Sequence, residues 1–590
     1  MVFIPVLVSC GDSRVNNTEP SGNNNERPNT SPLPSLSPSP VIQESALETE
    51  IKGLIHINQV GYRTLDQKIA VINGQSNEFQ VVTKDGDRIV YSGEIPDRTI
   101  KDQSSGDEVR FADFTSIVEP GEYYISVPGL GLSYSFTIND HAYSDIKDAL
   151  LKMLYYQRCG IALDKEYAGD WEHEICHIND GTLYEDNNIK IETLGGWHDA
   201  GDFGKYTVPT AVTLADLLMA YEFFPTAFEE SINIPESGNG VPDILNESRF
   251  ALDWLLKMQD LKTGGVYHKV STKSFPGFIM PEKDSDVRYI NQISPTATGS
   301  FAAIMAMASR IYKDIDPSFA ANALTSAEKA WQWMVDNPDV PGYKNPPDVS
   351  TGEYGDGNHK DELYWAAIEL YKTTGNEQYH NYVRDHYQKD SINLFGLGWG
   401  DNGGFGTIAY LFMEDDKKDE EIYEYLRTEF LGQADKLSLR VKYDGYKVAI
   451  SPTEYYWGSN MLVMNRAIHL IIANQLEPND NYKQIAQDQL HYLLGRNSLS
   501  QSYVSGFGSK HVMNPHHRPS GADGLKDPIP GMVAGGPNSG LQDPTAVSML
   551  PKDGPPAKAF IDHEGSWSTN EVTTYWNSPA IFVAAYFDQQ

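Results

Sequence analysis

Residues 195–202 read Gly-Gly-Trp-His-Asp-Ala-Gly-Asp, and Glu571 stands in Ser-Thr-Asn-Glu-Val-Thr near the other end of the chain. Asp199 and Asp202 are two carboxylates three positions apart in a glycine-flanked turn, and a third carboxylate lies far away in sequence. Hydrolysis of a glycosidic bond needs these parts: one carboxylate activates water, and one protonated carboxyl serves the leaving oxygen. If both aspartates enter one cleft, repulsion and shared hydrogen bonds separate their proton affinities, leaving one as base and the other as its orienter. Trp197, Phe203 and Tyr206 around the turn favour a sugar site. A plain turn or a calcium loop uses the same letters, so the motif by itself leaves those readings open.

Two later segments add chemistry. Lys510-His511-Val512-Met513-Asn514-Pro515-His516-His517-Arg518 offers donors suited to a hydroxyl-rich ligand, although adjacent histidines also suit a metal that activates water. Phe560 through Glu571 holds Asp562, Glu564 and Glu571. Only a carboxyl with a raised pKa donates a proton near neutrality, and a pocket walled by Trp567, Tyr575 and Trp576 provides the burial for it. These residues do not choose among the three acids. Beyond Cys10 the chain has only Cys159 and Cys176. Two cysteines in an exported protein first suggest a disulfide. With His177 and His198 they could instead make a closed tetrahedral zinc set with no open position, structural rather than catalytic; spacing alone favours a disulfide or free thiols over it.

The elements that position these groups follow from periodicity. Between 51 and 139, alternation in Ile55–Val60, Phe79–Val82, Arg88–Tyr91, Tyr123–Val127 and Tyr134–Ile138, with a hairpin signal at Asp85-Gly86, predicts an immunoglobulin-like β-sandwich. From 140 to 590 the period is helical. Leu363, Ala366, Ala367, Leu370 and Tyr371 form one stripe, and Leu245, Leu252, Leu255 and Leu256 another. Further stretches fall near 144–159, 210–223, 297–313, 323–335, 420–438, 459–474, 480–495 and 578–587. About a dozen helices with no strand between them fit helical hairpins closed into a ring, with the chemistry in the connecting loops. The expected fold is therefore multidomain, an all-β immunoglobulin-like sandwich followed by an all-α barrel.

Composition narrows the partners. The 590 residues carry a formal charge of −35, a field that repels nucleic acid and anionic membranes and leaves a neutral polymer as the compatible ligand. Residues 1–9 are apolar but far shorter than a spanning helix. Leu7-Val8-Ser9-Cys10 resembles the lipobox of bacterial lipoproteins, without the basic segment that normally precedes it. Residues 11–48, rich in Pro, Ser, Asn and Thr, read as a disordered tether. The expectation is an exported monomer at the bacterial surface or in the periplasm, held through a lipidated Cys10, or secreted.

Taken together, the motifs resemble glycoside hydrolase family 9 cellulases of the type with an N-terminal immunoglobulin-like domain. The resemblance spans roughly 52–590 and rests on Asn58-Gln59-Val60-Gly61-Tyr62, Tyr155 through Gly160, Gly196 through Asp202, Gly265 through Val270, Ser502 through Arg518, and Phe560 through Ser578. It implies a six-hairpin (α/α)6 barrel and cleavage of β-1,4-glucosidic bonds in cellulose, cellodextrins or mixed-linkage glucan with inversion. Asp202 matches the general base, Asp199 the residue that helps hold the water, and Glu571 the general acid. Inversion implies a separation of about 6.5–9.5 Å between the Asp202 and Glu571 carboxyls. His516 and Arg518 match substrate-binding positions, and Asp562 a second acidic position of the last signature. Cys159, Cys176, His177 and His198 match the zinc ligands of zinc-bearing members. The loop with Asp356, Asn358, Asp361 and Glu362, and the distant Asp401, resembles a calcium site; an acidic helix N-terminus is the alternative. Trp457 and Tyr503 are stacking candidates, or else core residues. An exo-acting enzyme on short oligosaccharides, including a glucosaminidase, and a non-catalytic glycan-binding lipoprotein are the competing functions.

Overall fold

A computed structural model of the protein describes residues 48–85, 88–389 and 392–589. The lipobox-like Leu7–Cys10 and the tether, apart from Glu48, lie outside the described residues, as does Gly86 of the hairpin signal.

The sandwich is built from ten short strands: β1 Ile55–His56, β2 Gly61–Tyr62, β3 Ile69–Asn73, β4 Glu78–Thr83, β5 Ile89–Glu94, β6 Ile100–Lys101, β7 Glu108–Asp113, β8 Gly121–Val127, β9 Gly131–Leu132 and β10 Phe136–Ile138. One sheet runs β1-β3-β7-β6 and the other β2-β10-β8-β4-β5, with β9 on β8. Alternating residues face inward, so Phe79 and Val81 of β4 meet Ile125 of β8 in a core closed by Tyr62, Phe114 and Phe136. Those three rings meet edge to face or tilted at 5.3–5.6 Å between centroids, the arrangement aromatic quadrupoles prefer.

Twelve helices of nine residues or more follow among the described residues. Six of them form the inner layer: Thr207–Phe223, Pro295–Tyr312, Lys360–Thr374, Gly403–Leu411, Ser459–Leu476 and Thr574–Asp588. The last packs on the first, the first on the second, the second on the third, the third on the fourth, and Ser459–Leu476 on the last, with Glu420–Val441 bridging Gly403–Leu411 and Ser459–Leu476. Small residues such as those of Pro-Thr-Ala-Thr-Gly-Ser-Phe-Ala-Ala let inner helices approach on every side, and Pro295 to Ser309 is buried throughout. The outer helices bury one stripe only, as Pro317–Asp336 does. That helix starts at Pro317, six residues before the expected 323, because Asp316 caps it through Phe319 N, with Pro317 at its first position.

The expectation of no strand within the helical part is corrected. Strands β11 Thr182–Leu183, β12 Lys205–Tyr206, β13 Lys269–Ser271 and β14 Tyr289–Ile290 form a sheet in the order β11-β14-β13-β12. At two or three residues each, they are too short to show a period of two. This sheet carries the segment after Asp202.

The Asn58-Gln59 pair docks the sandwich on the barrel. Asn58 Nδ2 meets His491 Nδ1 at 3.0 Å, Gln59 Nε2 donates to Ser500 O at 2.7 Å, and Gln59 Oε1 accepts from Lys510 N at 2.8 Å. Gln59→Ala strands the buried Ser500 O and the part-buried Lys510 N and is expected to destabilise the protein by about 1–3 kcal/mol. A denaturant midpoint equal to wild type would remove Gln59 from the interface energetics.

Candidate active site and metal centre

Three distant segments are stitched together. Arg518 N and Nη1 both donate to Gly201 O, at 3.0 and 2.8 Å, and His516 N donates to Asn570 O at 2.9 Å. Residue 201 has to be glycine because a Cβ there would stand 2.0 Å from His516 O. Close approach, rather than turn geometry, explains this glycine of the opening motif. Asp199 N donates to Gly204 O at 2.9 Å, and Thr574 N, at the start of the last inner helix, donates to Asp199 O at 2.8 Å.

Asp202 Oδ2 accepts from Gly204 N at 2.8 Å and from the Tyr206 hydroxyl at 3.4 Å. Asp199 is buried; its Oδ2 accepts from the Tyr354 hydroxyl at 2.6 Å, and its Oδ1 is buried without a partner. Burial pushes the Asp199 carboxyl well above the usual range, Tyr354 opposing and the charge of Asp202 adding. Glu571 opens to the cleft yet is hemmed by protein. Burial pushes its carboxyl well up, Asp202 and Asp199 adding and Arg518 opposing. Burial and the neighbouring turn carboxylates thus act in the same direction on Glu571, favouring its protonated form.

Asp202 and Glu571 line one cleft of about 570 Å³ with His516, Arg518, Trp457 and Trp567. Trp457 is 40 % exposed, so its ring is available to a ligand. Burial lowers the His516 imidazole, keeping it neutral. Two expectations are corrected. Tyr503 is fully buried, against Tyr492 and Phe560, and is a core residue. Asp562 does not line the cleft: its oxygens accept from Met513 N and Asn514 N at 2.8 Å each and from Asn570 Nδ2 at 3.0 Å. Its carboxylate fastens the segment before His516 to the residue before Glu571.

Cys159 and Cys176 are free thiols, not a disulfide. The two sulfurs and one nitrogen each of His177 and His198 lie within 4.8 Å of one another. Cys159 Sγ stands 3.6 Å from His177 Nδ1, Cys176 Sγ 4.0 Å from His198 Nε2, and the two nitrogens 3.2 Å apart. A tetrahedral ion with ordinary zinc–sulfur and zinc–nitrogen bonds needs donor separations of about 3.3–3.8 Å. The donors therefore fit a metal. Asp284 Oδ2, 3.4 Å from His177 Nε2, is placed to orient that ring.

The acidic loop is looser. Asn358 Nδ2 donates to Asp361 Oδ1 at 3.0 Å, Asn402 N to Asp361 Oδ2 at 3.0 Å, and Asn393 Nδ2 to Asp401. Asp361 and Glu362 occupy the first turn of Lys360–Thr374. Among the described residues only the Cys/His set converges as a group of three or more such donors. Burial, with repulsion from neighbouring acids, raises Glu362, Asp361 and Asp401, and Asp401 reaches about 6. Asp356 Oδ2 and Glu362 Oε2 are buried without partners.

A family model described as "Glycosyl hydrolase family 9" matches residues 143–584, and one described as "Cellulase N-terminal ig-like domain" matches 52–131. The chain belongs to glycosyl hydrolase family 9. It is 36% identical over 543 residues to a cellodextrinase of Butyrivibrio fibrisolvens, covering 89% of this chain and 98% of that one. It superposes on a thermostable endoglucanase mutant from Alicyclobacillus acidocaldarius with a TM-score of 0.86 at 36% identity, over 91% of this chain and 99% of that one. A Zn-binding triple mutant of a family 9 endoglucanase gives 0.83 at 34% identity, over 89% and 99%.

The family 9 cleft uses residues that pattern reading passed over. Tyr354 has a left-handed φ of 44° and places its hydroxyl on Asp199, while Trp399 and Phe275 join the cleft wall. Tyr354 stands just before the acidic loop that suits a cation, and a tyrosine in a Gly-Glu-Tyr-Gly run carries no period that shows where its ring goes. In this family 9 hydrolase, Tyr354→Phe is expected to lower kcat by about 10–100-fold with KM little changed, the worth of a hydrogen bond to a carboxylate. An unchanged kcat would separate Tyr354 from catalysis.

Proposed function

We propose that this family 9 hydrolase is an inverting β-1,4-glucanase with Asp202 as general base, Asp199 as its assistant and Glu571 as general acid. The observation that carries the reading is the placement of Asp202 and Glu571 on one aromatic-walled cleft, with burial and the neighbouring carboxylates raising the Glu571 carboxyl. Asp202 removes a proton from a water, which attacks the anomeric carbon. Glu571 gives its proton to the glycosidic oxygen as that bond breaks. Tyr354 holds Asp199, His516 and Arg518 contact the sugar beside the broken bond, and Trp457 stacks on a ring. Cello-oligosaccharide chains suit this cleft, as the names of the relatives suggest.

The test follows a defined cello-oligosaccharide by NMR. The first product is expected as the α anomer, and a β anomer at early times would sink the mechanism. The same time course on cellulose, mixed-linkage glucan and chitosan oligomers separates internal cutting from release at chain ends and from a glucosaminidase.

Zinc is the ion we assign to Cys159, Cys176, His177 and His198, because two thiolates and two imidazoles in a buried, closed set suit it. It would tie the loop bearing Asp199 and Asp202 to the preceding helix. Calcium would be held by Asp356, Asn358, Asp361, Glu362 and Asp401, and it would offset the burial, and for Asp361, Glu362 and Asp401 the mutual repulsion, that raises these acids. Leu7–Cys10 supports export and lipidation of Cys10, the body acting as a tethered monomer. Detergent-phase partitioning that is lost in Cys10→Ser tests the anchor.

A further inference from the structure

A buried lysine lies beneath the base. Lys269, on β13, is fully buried and sits directly opposite Tyr206 of β12 in the antiparallel pair. Its Nζ donates to Asn345 Oδ1 at 2.7 Å, Thr351 Oγ1 at 3.0 Å and Gly352 O at 2.7 Å. None of these partners is a carboxylate. A buried ammonium without a carboxylate in contact is costly, and residues of similar shape without charge satisfy a core more cheaply. Its position makes sense of the charge. The Nζ stands 5.6 Å from the centre of the Tyr206 ring, and the Tyr206 hydroxyl is the one that reaches Asp202 Oδ2. Gly352 lies against that same hydroxyl, where a Cβ would stand 3.1 Å away.

The acids nearby differ in how they are satisfied. Glu353 has Lys344 Nζ at 3.4 Å and Asn345 N at 3.0 Å. Asp202 receives its hydrogen bonds from a backbone amide and a phenol, neither of them a cation. The titratable and charged groups that face Asp202 are Asp199, Glu571, Tyr206, His516, Arg518 and Lys269. Burial disfavours a charge on His516 and Arg518 is engaged with Gly201 O and Pro276 O, so Lys269 is the cation on the Tyr206 side of the carboxylate.

We propose that Lys269 is the positioning residue of the general base: its ammonium favours the charged form of Asp202 across Tyr206 and clamps the Thr351–Gly352 segment that leads to Tyr354. The inference rests on Asp202 being the base. The groups facing Lys269 itself are Asp202, Glu353, Tyr206 and Tyr343. Burial lowers its ammonium to about 7, with Asp202 and then Glu353 opposing, so it is charged across the acidic range where a carboxylate base titrates.

The test is the acidic limb of kcat/KM against pH for K269M, K269Q and K269R, on protein checked for an intact melting transition. The limb is expected to rise by about one pH unit in K269M and K269Q, as a lost charge a few ångströms beyond contact predicts, and to stay near wild type in K269R. Neutral variants that fold and lose kcat with an unmoved limb would overturn the proposal, since a purely structural lysine does that. If neither neutral variant folds, N345D sets a carboxylate against Nζ with the lysine retained. A raised limb there supports the proposal, and an unmoved one overturns it. D202N, measured alongside, distinguishes the two levels: retained activity in D202N refutes the base assignment itself, whereas an inactive D202N with an unmoved K269M limb refutes only the role of Lys269.

Discussion

Glu571→Gln is expected to lower kcat on a cello-oligosaccharide by about 10²–10⁴-fold, the usual worth of a general acid, while leaving binding to the substrate in place. The amide keeps the shape of the carboxyl and loses only its proton. Aryl glucosides whose leaving group departs without protonation should suffer much less, and that contrast separates a missing acid from a damaged cleft. The pH profile gives an independent sign. The acid works only while protonated, and burial together with the charges of Asp202 and Asp199 holds Glu571 well above the usual glutamate range. Activity should therefore persist toward neutrality and fall as pH rises through the Glu571 pKa. Arg518 opposes the rise, so Arg518→Met should move this basic limb upward, even as it weakens binding. Near wild-type turnover in Glu571→Gln would refute the acid assignment.

Cys176→Ala should remove the bound ion and cost more than about 4 kcal/mol of stability, since loss of a metal site belongs to the few changes with effects that large. Activity should fall with it, because His198 and Asp199 are consecutive and the donor cluster fixes one end of the loop whose other end is fixed by Arg518 on Gly201. Metal analysis should read about one zinc per chain in wild type and none in the variant. Prolonged treatment with a strong chelator is expected to reproduce the loss, and added zinc to reverse it in wild type alone. A variant with full activity and an unshifted melting transition would show that the cluster does not hold the loop.

What could be read from the chain depended on whether a side chain's task is local. The helical stripes and most of the sandwich alternation express themselves within a few residues and lie within a few residues of where they were expected, although only Ile55–His56 of Ile55–Val60 is strand and the helices Glu377–His386 and Gly403–Leu411 were not foreseen. The Cys/His set was open to two readings because the distance between two thiols is not written in their spacing; the fold sets their donors among imidazoles instead. Asp562 and Tyr503 sit inside motifs rich in site residues, yet one fastens backbone amides and the other packs on Phe560. Neighbours in sequence need not face the same way. Tyr354 and Lys269 were invisible for the complementary reason: their partners lie 155 residues from Tyr354 and, for Asn345 and Thr351, 76 and 82 residues from Lys269. The two-residue strands escaped because pairing across the fold, and not local pattern, makes them strands.

The contact of Gly201 with the chain at His516, and of Thr574 with Asp199, has a consequence for how the enzyme comes into being. The residues assigned as base and acid, Asp202 and Glu571, are separated by about 370 residues, which a ribosome adds at about 5–20 per second. For tens of seconds the nascent chain carries Asp202 with no counterpart, and the last inner helix, which donates to Asp199 O, emerges later than Glu571. Turnover therefore reports ring closure. A cell that makes this protein gains no premature hydrolysis from incomplete chains, and a refolding assay read by activity scores only the molecules in which both ends of the barrel have met.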